Sequence, residues 1–265
     1  MRIARYAGQR LVAAALAGTA IMGTATACSS SGSAAQNGPA ASSASATTGS
    51  TSSASASAQG GALDGLSADQ IASRAIADFK TVSSVHVNGS VKSSGQNIAL
   101  NLSLGTQGCT GTMGISGEGS FVLLKIGQTL WIKPDDTFWK KAAGSAGSAV
   151  TDLLSGKYIK PSSSGSSLAS IGDLCNPAKF AKSFGGDMTG MVKGATTTIS
   201  GQPALQIKDS GDPASAYVTE SAKPEFLRLD GGGSNGKLDF TQYNAPLNLT
   251  PPPASKVLDG AKYGF

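Results

Sequence analysis

Histidine is almost missing from this chain: His86 is its single example. A Ser-His-Asp or Cys-His centre would have to be built on that residue. It falls with Asn88 and Ser90 on the polar side of a strand pattern, where a surface histidine is the simpler reading. Cysteine is scarce too, with three residues, Cys28, Cys109 and Cys175. No pair has C-x-x-C spacing, and no His/Cys/carboxylate group has zinc spacing, so redox and metal chemistry find no support. Asp135-Asp136 reads as a turn rather than a metal site. Charged residues are thin at 14% and aromatics at 6%. Basic runs and basic–aromatic interleaving are absent, which argues against nucleic acid. The Gly-rich stretches 105–119 and 231–236 lack a following Lys-Ser/Thr and a helix, so no phosphate loop is formed. This inventory predicts a protein that is not an enzyme and uses no cofactor.

What is present begins at the N-terminus. Arg2, Arg5 and Arg10 form a basic start, Leu11–Ala17 runs apolar, and Ala25-Thr26-Ala27-Cys28 closes the segment. A charged region, a short apolar region and small residues before a cleavage point make a secretory signal, too short to span a bilayer. A Cys directly after the small residues marks a bacterial lipoprotein signal. Residues 1–27 are therefore read as the signal peptide, with Cys28 carrying diacylglycerol and an acyl chain such as palmitate. The other reading of Cys28 is a chance cysteine at an ordinary cleavage site. Residues 28–64 then hold the acylated Cys and a Ser/Ala/Gly tether without apolar periodicity, which cannot offset its own ordering entropy. Such a tether spans roughly 30 Å. The expected location is extracytoplasmic, anchored by lipid to the outer face of the cell membrane, and the membrane is the one partner predicted directly.

The whole chain has 21 basic and 16 acidic residues. The signal holds three of the basic residues and none of the acidic ones, leaving 18 against 16, or +2, after cleavage. With Cys28 acylated, Cys109 and Cys175 remain, and an oxidising compartment favours pairing them. Two buried free thiols are the alternative.

Residues 65–265 are read as one domain. Ser67-Ala68-Asp69-Gln70 is a capping box, and Ile71, Ala75, Ile76, Phe79 and Val82 follow at helical spacing, predicting a helix over Ala68–Thr81. The pattern then turns to period two. Val85, Val87 and Val91 are followed by Ile98, Leu100, Leu102 and Leu104, with a turn at Gly95-Gln96 between them. Further strands are expected over Thr110–Ser116, Gly119–Ile126 and Thr129–Lys133. Gly127-Gln128 forms a type II′ turn between the last two. Pro134-Asp135-Asp136 turns again into Phe138-Trp139. Residues 142–176 are Ala/Gly/Ser-rich and suggest short helices. Asn176-Pro177 caps another, with Phe180 and Phe184 on one face. The last third predicts strands at Ala195–Ser200, Ala204–Asp209, Ser215–Glu220, Glu225–Asp230 and Lys237–Tyr243, and Pro251-Pro252-Pro253 ends the regular region. The fold class is α+β: a strongly curved antiparallel sheet, a half-barrel of about 10–11 strands, with a few short helices on its concave face.

A resemblance joins these readings. The lipobox, the tether, the capped helix and the approach Asp78-Phe79-Lys80-Thr81-Val82-Ser83-Ser84-Val85-His86-Val87 come in that order. The C-terminal runs Ala216-Tyr217-Val218-Thr219-Glu220, Pro224-Glu225-Phe226-Leu227-Arg228-Leu229 and Leu238-Asp239-Phe240-Thr241-Gln242-Tyr243 follow. Over roughly Ser67–Pro253 the chain resembles the LppX/LprG family of actinobacterial envelope lipoproteins and, more distantly, the LolA/LolB carriers. The resemblance implies a half-barrel around an apolar cavity that binds or transfers lipid, glycolipid or other acyl-chain ligands without catalysis. Leu100, Leu102, Leu124, Leu229, Leu238 and Phe240, each in the apolar register of its strand, are the expected cavity residues. The alternative is a structural or sensory envelope lipoprotein with a filled core and a protein partner.

Overall fold

The computed structural model describes residues 61–161, 171–186 and 188–263. The signal segment, Cys28 and the tether as far as residue 60 lie outside the described residues.

Helix α1 spans Ala68–Phe79 and starts as the capping box requires. The Ser67 hydroxyl accepts from Gln70 N–H at 3.2 Å, and Gln70 Oε1 accepts from Ser67 N–H at 2.8 Å. Two of the donors that a helix start leaves unpaired are thereby satisfied. Its apolar stripe, Ile71, Ala72, Ala75, Ile76 and Phe79, is buried. The helix stops two residues before the predicted Thr81, whose hydroxyl bonds back to the Asp78 carbonyl at 2.7 Å.

Among the described residues, twelve strands form one open sheet in the order β12-β6-β5-β4-β3-β2-β1-β11-β10-β9-β8-β7. They are β1 Ser84–Ser93, β2 Gln96–Gly105, β3 Gly108–Ile115, β4 Gly119–Ile126, β5 Thr129–Pro134, β6 Tyr158–Lys160, β7 Met191–Ile199, β8 Gln202–Asp209, β9 Ser215–Thr219, β10 Phe226–Asp230, β11 Gly236–Thr241 and β12 Val257–Asp259. The sheet is therefore a curved, unclosed α+β framework, mostly antiparallel, with short helices. Tight turns set the register. Ser94 and Gly95 both take positive φ, 50° and 82°, between the paired residues Ser93 and Gln96. Gly127 takes φ 56° between the pair Ile126 and Thr129, as a type II′ turn needs at its first central residue. On β2 the alternation is clean: Ile98, Leu100, Leu102 and Leu104 are buried while Asn97, Ala99 and Asn101 are exposed.

Two expectations are corrected, and one is completed: the turn at Pro134-Asp135-Asp136 leads Phe138-Trp139 into a helix. Both lie in α2, Asp136–Ala143, because Asp135 Oδ1 accepts from Phe138 N–H at 2.8 Å and caps a helix there. Tyr158-Ile159, read as part of a helical region, pairs as β6. The triple proline does not end the regular region. Beyond it β12 pairs with β6 in parallel, Leu258 against Ile159, as the one parallel contact of the sheet among the described residues. Helix α3 spans Gly147–Leu154 and α4 spans Pro177–Ala181, the latter capped by Asn176 with Pro177 in its first turn as expected.

Candidate functional site

Directly paired residues on neighbouring strands share a face. The registers therefore trace rows across the sheet. One row runs Phe240, Val87, Leu102, Gly111, Leu123, Ile132 and Ile159. A second runs Leu229, Leu238, Gly89, Leu100, Met113, Phe121 and Pro134. A third, nearer the Gly127 turn, runs Val85, Leu104, Cys109, Lys125 and Leu130. These rows form the helix-covered inner face. The outer face is polar along Gln206, Tyr217, Arg228, Asp239, Asn88 and Asn101. Arg228 grips Asp239 there through Nε and Nη2, and that hydrogen bond holds the guanidinium above its ordinary pKa. His86 also lies on the outer side, its Nδ1 3.0 Å from Ser103 Oγ.

The structure brings together five of the six expected cavity residues. Leu100, Leu102, Leu229, Leu238 and Phe240 are all buried in one inner-face cluster. Leu124 is not with them. It pairs with Thr110 and Trp131, which puts it on the outer face, while Leu123 holds the inner position and is 0% exposed. Strand β4 is apolar on both sides, so alternation within it does not choose a face. Leu227, two residues before Leu229 and so on its face in a regular strand, packs with Ile199 and Ala204. A bulge between Phe226 and Arg228 breaks the period-two pattern at that point.

The inner face is covered in two separate pieces. The first is α1, α4 and the turn 172–175, packed as part of the main cluster. Phe79, at the end of α1, meets the rings of Phe180, Phe184, Phe226, Phe240 and Tyr243 at centroid distances of 5.5–6.4 Å. The Cys109–Cys175 disulfide, closing a separation of 66 residues, ties the 172–175 turn to β3. The second piece is α2 and α3, which pack Trp139, Leu154 and Val150 against Ile159 and Leu258 in a cluster of their own. The Phe121–Phe138 ring contact, 6.4 Å between centroids, bridges the two. The rows pass over Gly111 and Gly89, which offer no side chain to the inner face. Gly111 is obligatory: at φ 145° a Cβ would lie 2.1 Å from the Asn101 carbonyl oxygen.

Ionisable groups gather at two edges of this face. Asp78, Lys223, Glu225 and Tyr243 line a cleft at the C-terminal end of α1. Burial raises the Glu225 carboxyl above its ordinary value, and the neighbouring Asp78 charge raises it further, against a smaller pull from Lys223. Asp78 Oδ2 is buried there without a hydrogen-bond partner. Burial also pushes the Tyr243 phenol well up, and its hydroxyl donates to the Phe226 carbonyl at 2.7 Å. At the other edge, burial alone would raise Asp135. Hydrogen bonds from Phe138 N–H, the Ser120 hydroxyl and Ser120 N–H outweigh it and leave the carboxyl below its ordinary value.

Among the described residues no group of three or more His, Cys, Asp or Glu could hold a metal ion, and no helix is long and apolar enough to cross a membrane. Leu123, Gly111 and Lys125 are inner-face residues that the sequence reading passed over.

Neither a family model nor a curated protein matches the chain. Several solved structures are similar to it, these three among them. LprF from Mycobacterium bovis is 12% identical, with 70% of this chain and 96% of that one covered at a TM-score of 0.46. The Mycobacterium tuberculosis lipoprotein LppX is 14% identical, with 69% and 98% covered at 0.41. An uncharacterized conserved protein from Thermus thermophilus is 11% identical, with 72% and 98% covered at 0.32.

Proposed function

We propose that this chain is an extracytoplasmic protein, held at the membrane by acylated Cys28, that binds the acyl chain of a lipid or glycolipid against the inner face of its sheet and does no chemistry on it. The observation that carries the reading is the divided cover. Helices α1 and α4 belong to one cluster and α2 and α3 to another. The row Leu102, Gly111, Leu123 and Ile132, whose side chains are buried in the first cluster, is wholly apolar. A cover made of two pieces with separate cores can part without unfolding either. Parting would expose hydrocarbon-lined sheet, and each CH₂ of a ligand buried there would contribute roughly 0.8 kcal/mol. The face beneath α1 is different. The rings packed around Phe79 fill it, so binding is assigned to the half of the face between β2 and β5.

The test is mass spectrometry of organic extracts from the full chain purified without added lipid. Acyl-bearing molecules at near-stoichiometric yield, lost in Leu123→Gln, would support the reading. Repeated preparations free of lipid would favour the filled-core alternative, in which the domain serves a protein partner.

A further inference from the structure

We propose that Lys125 is the headgroup residue of this face, and that the ligand is a single-chain amphiphile with an anionic head, a carboxylate or a phosphate. The inference rests on the acyl-binding reading above and names the class of ligand it takes.

Lys125 stands in an apolar row. Its cross-strand partners are Cys109 and Leu130, both buried, so its side chain leaves β4 on the helix-covered side. Gly172 lies over its stem: a Cβ there would be 3.7 Å from Lys125 Cδ and 3.9 Å from Cε. The ammonium donates to the Gly172 carbonyl at 3.1 Å. Among the described residues, the ion pairs are Lys141–Glu118, Lys179–Asp173 and Arg228–Asp239, so no carboxylate answers Lys125. A half-buried cation held by one neutral carbonyl is incompletely compensated. An incoming anion would complete it, and a charge-assisted hydrogen bond is the stronger kind.

The position along the strand suits such a ligand. Lys125 is one residue from the Ile126–Thr129 pair that closes the hairpin, so it sits at the end of the sheet. Leu123 and Phe121 follow at two and four residues on the same face, about 13 Å of apolar wall at the usual rise per residue. Head at Lys125 and tail toward Phe121 is the one orientation that pairs charge with charge and hydrocarbon with hydrocarbon. The competing role for Lys125 is structural, pinning the 172–175 turn through the Gly172 carbonyl.

The experiment is calorimetric titration of the full chain with laurate, dodecyl phosphate and dodecanol. Wild type should bind at least one of the two anions roughly tenfold more tightly than the alcohol. Which anion wins identifies the head. Lys125→Met should bring the three ligands together while keeping dodecanol affinity, and Lys125→Arg should retain the preference. Thermal melting checks that both variants fold. Equal binding of alcohol and anions by wild type, or a preference that survives Lys125→Met, would overturn this inference and leave acyl binding standing. If wild type binds none of the three, the acyl-binding reading fails and this inference with it.

Discussion

Phe79 shows how much one residue can decide here. It is 2% exposed and meets five other aromatic rings, drawn from α4, the turn after it, β10, β11 and the segment after β11. Removing it empties the point where α1 meets the sheet, so Phe79→Ala should cost about 3–5 kcal/mol, read by denaturant unfolding. A loss below about 1 kcal/mol would mean that the ring cluster does not hold the helix down. Glu225 makes a pH prediction. Its carboxyl titrates above its ordinary value of 4.5 in the folded chain, first because it is buried and then because Asp78 is near. The folded state thus holds that proton more tightly than the unfolded one. Its contribution is fully present below pH 4.5 and is lost as pH rises through the raised folded value. Glu225→Gln should therefore melt higher than wild type at neutral pH and show a flatter pH dependence just above the ordinary glutamate range. Parallel melting curves for the two proteins across that window would contradict the assignment.

At the scale of elements, local signals with one physical meaning were legible. The capping box over Ser67–Gln70 placed the start of α1, and Asn176-Pro177 placed α4, because both motifs satisfy specific backbone donors wherever they occur. Strand β4 was legible as a strand but not as a register. Phe121, Val122, Leu123 and Leu124 are all apolar, so period two has two solutions. The hairpin resolves it: with Ile126 opposite Thr129, Leu123 faces Ile132 and Leu124 faces Trp131. Leu130 and Ile132 alternate with Trp131 and Lys133, and that cleaner strand points Leu123 inward. The same count puts Lys125 on the inner face. Asp135 was legible as a turn residue, but its capping role needed the helix after it, whose exposed face hides the apolar signal. Asp135→Ala removes the cap of α2 and its bonds to Ser120, and should cost about 0.5–2 kcal/mol. Equal stability by chemical denaturation would show the cap to be idle. The β12–β6 pairing was not legible at all. A three-residue parallel strand carries no pattern, and its register exists only once β6 is in place.

The whole molecule combines a long apolar sheet with a cover that is short and divided. The Cys109–Cys175 bond acts at this scale. It fixes the 172–175 turn to β3, and the loop it closes carries α2 and α3 between its two ends. Losing it through Cys109→Ala with Cys175→Ala should cost about 2–5 kcal/mol, with a corresponding fall in melting temperature. Unchanged melting would mean that the cross-link does not bear on the cover. The proposed anchor is tested by Cys28→Ser, which should move the protein from the membrane pellet to the soluble fraction. Retention in the pellet after a high-salt wash would rule out anchoring through Cys28.

The central claim is that the inner face between β2 and β5 receives an acyl chain, and its most direct test is binding with stability measured on the same samples. Leu123→Gln should abolish loading of laurate while lowering the melting temperature only modestly, because a face that opens for ligand admits water to the new amide. The contradicting result is wild-type protein that takes up no acyl ligand together with a Leu123→Gln variant that is severely destabilised, as burial of an unpaired amide in a closed core requires, at about 1–3 kcal/mol or more.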